Sequence, residues 1–179
     1  NINAVVTSSV QIVSVKNTIN DFSSRGMNTR YTAAYFPNVI MRDTTANRTL
    51  EVPPSVAVLG AFGKNDSLGH PWFAPAGFNR TALGNVNQSA VELSKQNLKD
   101  LQDAKINPIA TFPGQKPVVW GQATLLASES AFERINVRRL LLTIRREVRK
   151  VAQRIMFEPN REETLARFES EVKPILKNI

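Results

Sequence analysis

The sequence predicts an α/β chain, a mixed sheet packed with long amphipathic helices, and three observations predict it. Short β-branched and aromatic runs, separated by Pro, Gly and Asn clusters, fill the first two thirds. Between Arg134 and Ile155, Val137, Leu140, Leu141, Ile144, Val148, Val151 and Ile155 recur at the 3.6-residue period of a helix, as one apolar stripe. A second stripe, Leu165, Phe168, Val172, Leu176 and Ile179, closes the chain.

Taken in order, residues 4–15 are β-branched without a helical period and predict a strand. Residues 17–30 are polar and predict a loop or short helix. Residues 30–42, with Tyr31, Tyr35, Phe36, Val39 and Ile40, predict extended chain bent at Pro37, followed by a turn over 43–48. The run 56–62 after Pro53-Pro54 fits a buried strand or a helix start equally. Residues 63–84 hold four Gly and two Pro in an irregular stretch of a length that is usually functional or packed on a partner. Residues 86–105 predict an amphipathic helix with Ala90, Leu93, Asn97, Leu101 and Ala104 on one side. Residues 109–112 and 118–122 predict two short strands joined across Pro113-Gly114.

Ser130-Ala131-Phe132-Glu133 has the form of a capping box, and Asn136 is the competing start for the long helix. That helix is predicted to run to about Met156, before Pro159, with its stripe buried in the chain's own core. The final helix starts by the same logic at Asn160, with Glu163 at the third helical position and a kink expected at Pro174.

The charge is concentrated. Arg134, Arg138, Arg139, Arg145, Arg146, Arg149, Lys150 and Arg154 face a single acid, Glu147, so this segment carries nearly all of the chain's formal +8. Such a surface raises nucleic acid as a partner on electrostatic grounds, and an arginine-helix nucleic-acid module is the alternative reading. Against it, no aromatic residue interleaves the cations, as stacking on single strands requires.

At 179 residues and 42% hydrophobic, the chain can build one ordinary core or two small lobes. The absence of cysteine excludes disulfides, thiolate nucleophiles and cysteine metal ligands. No apolar run approaches the roughly eighteen residues of a membrane span, and no secretory signal is recognisable at the start. Asn1 in place of Met, and a helical pattern reaching Ile179 without a stop, are expected of a piece cut from a longer polypeptide.

The lone histidine, His70, lies in a loop without a Gly-x-Ser-x-Gly motif to make a triad. Neither glycine-rich nucleotide loop is present, and one histidine leaves a transition metal short of ligands. Glu162, Glu163, Glu169 and Glu171, interspersed with Arg167 and Lys173, read as an ion-paired helix face. Four Asn-x-Ser/Thr triplets, at Asn47, Asn65, Asn79 and Asn87, are short enough to arise by chance. No enzyme and no cofactor are expected.

Five blocks in order carry a family resemblance. They are Tyr35-Phe36-Pro37 with Val52-Pro53-Pro54-Ser55; Asp66 with the run from Pro71-Trp72-Phe73 to Phe78-Asn79-Arg80; Ile106-Asn107-Pro108-Ile109 with Val119-Trp120-Gly121-Gln122; Arg134-Ile135-Asn136-Val137-Arg138-Arg139-Leu140; and Phe157-Glu158-Pro159-Asn160. Over residues 30–179 the chain resembles the contractile tail sheath proteins of bacteriophages; residues 1–29 carry no matching block.

The resemblance implies a non-enzymatic virion protein. Its subunits stack as hexameric rings around an inner tail tube and shorten when the baseplate triggers them. It implies part of a so-called subtilisin-like domain over 1–110 and part of a C-terminal domain over 111–179. Implied partners are other sheath subunits, the tube protein, the baseplate and a tail terminator, with no nucleic acid and no membrane. The implied place is the virion tail, assembled in host cytoplasm. Sheaths of this family touch the tube through the C-terminal domain, largely by charge. Candidate tube or neighbour contacts are therefore Arg138, Arg145, Arg146 and Arg149 on the basic helix and Arg167, Lys173 and Lys177 on the last one. The final helix is favoured for the tube and the basic arc for a neighbour. The loop with Trp72, Phe73, Phe78 and Arg80 either caps the core, the expectation for large aromatics, or meets the next ring.

Overall fold

The computed structural model describes residues 14–43 and 45–179. The strand expected over 4–15 lies outside the described residues except for its last two positions, which are helical. Helix α1 covers 14–24, with Val15 buried and Ile19 and Phe22 partly buried on its inner side. Gly26, at φ +57°, follows it in the left-handed conformation that glycine adopts without penalty.

Two three-stranded sheets follow. Strands β1 (Ala34–Phe36), β5 (Ile106–Ala110) and β6 (Val118–Val119) form one, parallel between β1 and β5 and antiparallel between β5 and β6. Strands β3 (Arg48–Val52), β2 (Val39–Asp43) and β4 (Val86–Ser89) form the other, antiparallel throughout. The mixed sheet is thus the first of these, and the bend at Pro37 separates the two.

β5 is buried at all five positions, as a strand covered on both faces must be. Ile106 joins Val15, Ala34, Leu101 and Leu125 in one apolar cluster, while Ile109 joins Val39, Val58, Leu83, Val86 and Val119 in another. The run at 56–62 proves helical. Helix α2 (Pro54–Leu68) starts with proline in its first turn, where the missing N–H costs nothing, and buries Ala57, Val58, Ala61 and Asn65. It extends into the stretch expected to be irregular, which also contains the short α3 (Phe78–Thr81).

The amphipathic helix expected over 86–105 is corrected. Its first four residues form β4, because Val86 and Ser89 find backbone partners on β2. The helical part, α4 (Lys95–Asp103), begins after Ser94, whose hydroxyl accepts the Asn97 N–H at 3.2 Å. Leu93, Asn97, Leu101 and Ala104 do face inward.

Neither expected cap forms. Ser130 makes no capping hydrogen bond, and Ala131–Glu133 is a 3-10 turn before α5 (Ile135–Arg154). Glu133 instead pairs with Lys105 at 2.6 Å. Before α6 (Glu162–Lys177) the capping position is Arg161, not Asn160, and the Thr164 hydroxyl bonds the Pro159 carbonyl.

The chain divides into two compact units, one through Arg138 and one from Arg139 to Ile179. The α5 stripe forms at the expected spacing, but its burial is corrected. Only Val151 is buried; Val137, Leu140, Leu141, Ile144, Val148 and Ile155 remain half-covered. A periodic pattern fixes which face is apolar without fixing what covers it. On α6, Leu165 and Leu176 are exposed outright, as is Ile179 just beyond the helix.

Candidate functional site

Helix α5 displays its cations because the 3.6-residue period sends them away from the stripe. Each expected contact residue has a distinct setting. Arg138 lies in the first turn with its guanidinium 4.1 Å from the Tyr31 ring centre, a cation–π contact across 107 residues of sequence. Arg30 approaches the same ring, and the Tyr31 phenol is pulled below its ordinary pKa, chiefly by the Arg138 charge. Arg146 and Lys150 share Glu147, at 3.1 Å and 2.9 Å. Hydrogen bonds from Lys150 and then Arg146 lower the Glu147 pKa.

Arg145 and Arg149, one turn apart and exposed, make no ion pair or side-chain hydrogen bond with any described residue. With Leu142, Arg146, Lys150 and Gln153 they line a shallow groove of about 540 Å³.

On α6 the basic residues are mostly engaged. Arg167 pairs with Glu171 at 3.6 Å and Lys173 with Glu169 at 2.7 Å, while Arg154 reaches Glu171 from α5. Lys177, in the last turn, is exposed and complements the helix dipole. Of the seven candidates, Arg145, Arg149 and Lys177 make no ion pair with a described residue, whereas Arg138, Arg146, Arg167 and Lys173 are engaged within the chain.

The loop after α2 folds against its own chain. The His70 ring stacks on Trp72 at 4.4 Å and 3°, and meets Phe73 edge-on at 5.4 Å. Arg80 caps Phe73 at 4.5 Å, and the Asn65 amide, fully buried, donates to the Phe73 carbonyl. Trp72, Phe73 and Arg80 are half-buried. Phe78 is exposed, in an edge-packed trio with Phe112 and Trp120 at 5.3–5.4 Å. His70 is exposed and stacked, an arrangement that gives it neither an acid to orient it nor a hydroxyl to activate. Among the described residues no group of three His, Cys, Asp or Glu could hold a metal ion, and no helix is long and apolar enough to cross a membrane.

Asn107 and Tyr31 gained importance that sequence reasoning did not assign. Asn107, 1% exposed, sends its amide to the carbonyls of Ala34 at 3.0 Å and Ala123 at 2.8 Å, and accepts the Ala123 N–H at 2.6 Å. It thereby ties β1, β5 and the 121–125 strap together. An Asn inside an apolar Ile-x-Pro-Ile strand was the available signal, since a polar residue there must be hydrogen-bonded. Tyr31 offered none beyond being aromatic.

No protein-family model matches the chain. Among curated proteins it is 37% identical over 137 residues to the tail sheath protein of Vibrio phage KVP40, covering 76% of this chain and 20% of that one. With the tail sheath protein of Enterobacteria phage T4 it shares 30% over 126 residues, 70% of this chain and 19% of the relative. Among solved structures it resembles the anti-feeding prophage helical sheath in its contracted state, at 30% identity and a TM-score of 0.73, over 84% of this chain and 41% of that one. The contracted sheath complex of an extracellular contractile injection system, PVC, gives 25% identity and a TM-score of 0.74, over 85% and 41%. The chain thus spans about a fifth of the length of the curated relatives it matches.

Proposed function

We propose that this chain, homologous to a segment of the contractile tail sheath proteins, is part of a structural subunit that polymerises around an inner tail tube and shortens to drive it through a host envelope. The observation that carries this reading is the agreement with contracted sheath structures over 84–85% of the chain, at 25–30% identity. Residues 1–110 then belong to the subtilisin-like domain and 111–179 to the C-terminal domain. The subunit acts in the virion tail after assembly in host cytoplasm, against other sheath subunits, the tube, the baseplate and the tail terminator.

The work is mechanical, not catalytic. Shortening must run downhill, so the contracted interfaces must be collectively more favourable than the extended ones. Many weak, salt-screened contacts suit such a device, because each exposed ion pair is worth only about 0–1 kcal/mol and all can be released together. The last turns of α6, with Lys173 and Lys177, face the tube, and the free cations of α5 face a neighbouring copy. The relatives do not favour the nucleic-acid alternative, since those named are sheath proteins.

Electron microscopy of the complete protein tests this. Rings or tubes are expected, and a monomer under every condition of salt and concentration overturns the reading.

A further inference from the structure

Two surfaces of the second unit are opposite in charge, and each lacks a counterpart among the described residues. On α5, Arg145 and Arg149, unpaired among the described residues, line one groove together with Leu142, a leucine 46% exposed. At the α5–α6 turn, Phe157 is 94% exposed, and Leu165, in the first turn of α6, is 58% exposed. Between these two in sequence come Glu158, Glu162 and Glu163, none of which forms an ion pair or side-chain hydrogen bond with a described residue.

The later acids of α6 are used internally, by Arg154, Arg167 and Lys173; the first-turn acids are not. The helix dipole explains why acids are tolerated at the start of α6. It gives no reason for a phenylalanine held almost wholly in water beside them, a position that marks a contact surface when apolar neighbours and unpaired charge accompany it.

We infer that the arginine arc of α5 receives the acidic first turn of α6 from an adjacent copy of this chain, with Phe157 of that copy packed toward Leu142. The inference rests on the sheath reading and adds the identity of the element that the arc meets. Charge selects the pairing, because arc against arc would repel whereas arc against acidic turn attracts. Geometry agrees. The two patches are different surfaces, so the contact is heterologous and adds copies head to tail, which generates rings or open helices rather than closed pairs. A duplex could satisfy the arc, but it would leave Glu158, Glu162 and Glu163 unpaired and Phe157 solvated.

The absence of cysteine makes the contact testable by cross-linking. Leu142→Cys and Phe157→Cys are introduced together into the complete sheath protein, and assembled particles are oxidised and run without reductant. The two positions are fifteen residues apart along one helix and its following turn, roughly 20 Å, so a disulfide within one copy is impossible. A ladder beyond dimers is expected, with neither single variant giving it.

A second arm uses charge. Arg145→Glu with Arg149→Glu is expected to lower the yield of particles at least tenfold, and adding Glu162→Lys with Glu163→Lys is expected to restore it. Well-formed tubes that stay monomeric on the gel, or a charge swap that fails to rescue, overturn this contact while leaving the sheath reading intact. If the unsubstituted complete protein never assembles, the sheath reading fails and this contact with it.

Discussion

Replacing Asn107 by alanine removes three hydrogen bonds from a position 1% exposed, those with the Ala34 carbonyl, the Ala123 carbonyl and the Ala123 N–H. A hydrogen bond between protein groups contributes about 1 kcal/mol net, and a buried group left without a partner costs about 1–3 kcal/mol. Ala34 lies on β1, whose carbonyls face a buried seam, so water replaces the lost amide poorly. Allowing partial relaxation, the change costs about 3–5 kcal/mol, against a typical domain stability of about 5–15 kcal/mol. In urea, with a slope of about 2 kcal/mol per molar, the midpoint falls by about 2 M. Chemical denaturation followed by tryptophan fluorescence reads this directly, because Trp120 adjoins the strap that Asn107 holds. Asn107→Asp distinguishes the hydrogen bonds from packing. It retains the acceptor for Ala123 N–H but loses both donors and buries a charge, so its destabilisation eases as pH falls and the carboxyl protonates. A midpoint shift below about 0.5 M for the alanine variant, or an aspartate variant indifferent to pH, refutes the tie assigned to Asn107.

Two further outcomes are expected. A Cβ at Gly69 would sit 2.5 Å from the Phe73 ring, so Gly69→Ala displaces the ring, costs about 1–3 kcal/mol and changes Trp72 emission through the His70 stack; unchanged emission and stability would show the loop to be looser than described. Arg138→Gln removes the main cause of the lowered Tyr31 pKa, so that phenol should ionise at higher pH, a shift readable by absorbance titration in comparison with Tyr31→Phe. A titration unaltered by the substitution would mean that the guanidinium does not sit over the ring.

Legibility in the sequence followed the range of the interaction responsible. Helix α5 was readable because seven apolar residues repeat between Val137 and Ile155, and the extended segments around Pro37 because aromatic and β-branched residues crowd there. Residues 86–89 were misread as helix because nothing within four residues announces β2 as their partner. The Ser130 cap failed for a similar reason: a carboxylate that can reach back to its own helix can equally reach Lys105, as Glu133 does. The candidate cations were legible as residues but not as states. Spacing placed Arg145 and Arg149 on an outer arc, while only the folded environment separates those cations from Arg146, held by Glu147, or Arg138, laid over Tyr31. Phe157 was legible as part of a family block but not as exposed, since an aromatic after a helix is ordinarily assigned to the interior.

The parallel contact between β1 and β5 bears on how such a body would withstand force. Tension directed along two side-by-side strands loads their backbone hydrogen bonds simultaneously, whereas peeling breaks them one after another. β5 is gripped by apolar layers on both sides, with Ile106 turned to one and Ile109 to the other, so sliding it would tear two interfaces at once. A part built this way resists stretching, the property that the proposed sheath role would ask of a rigid link.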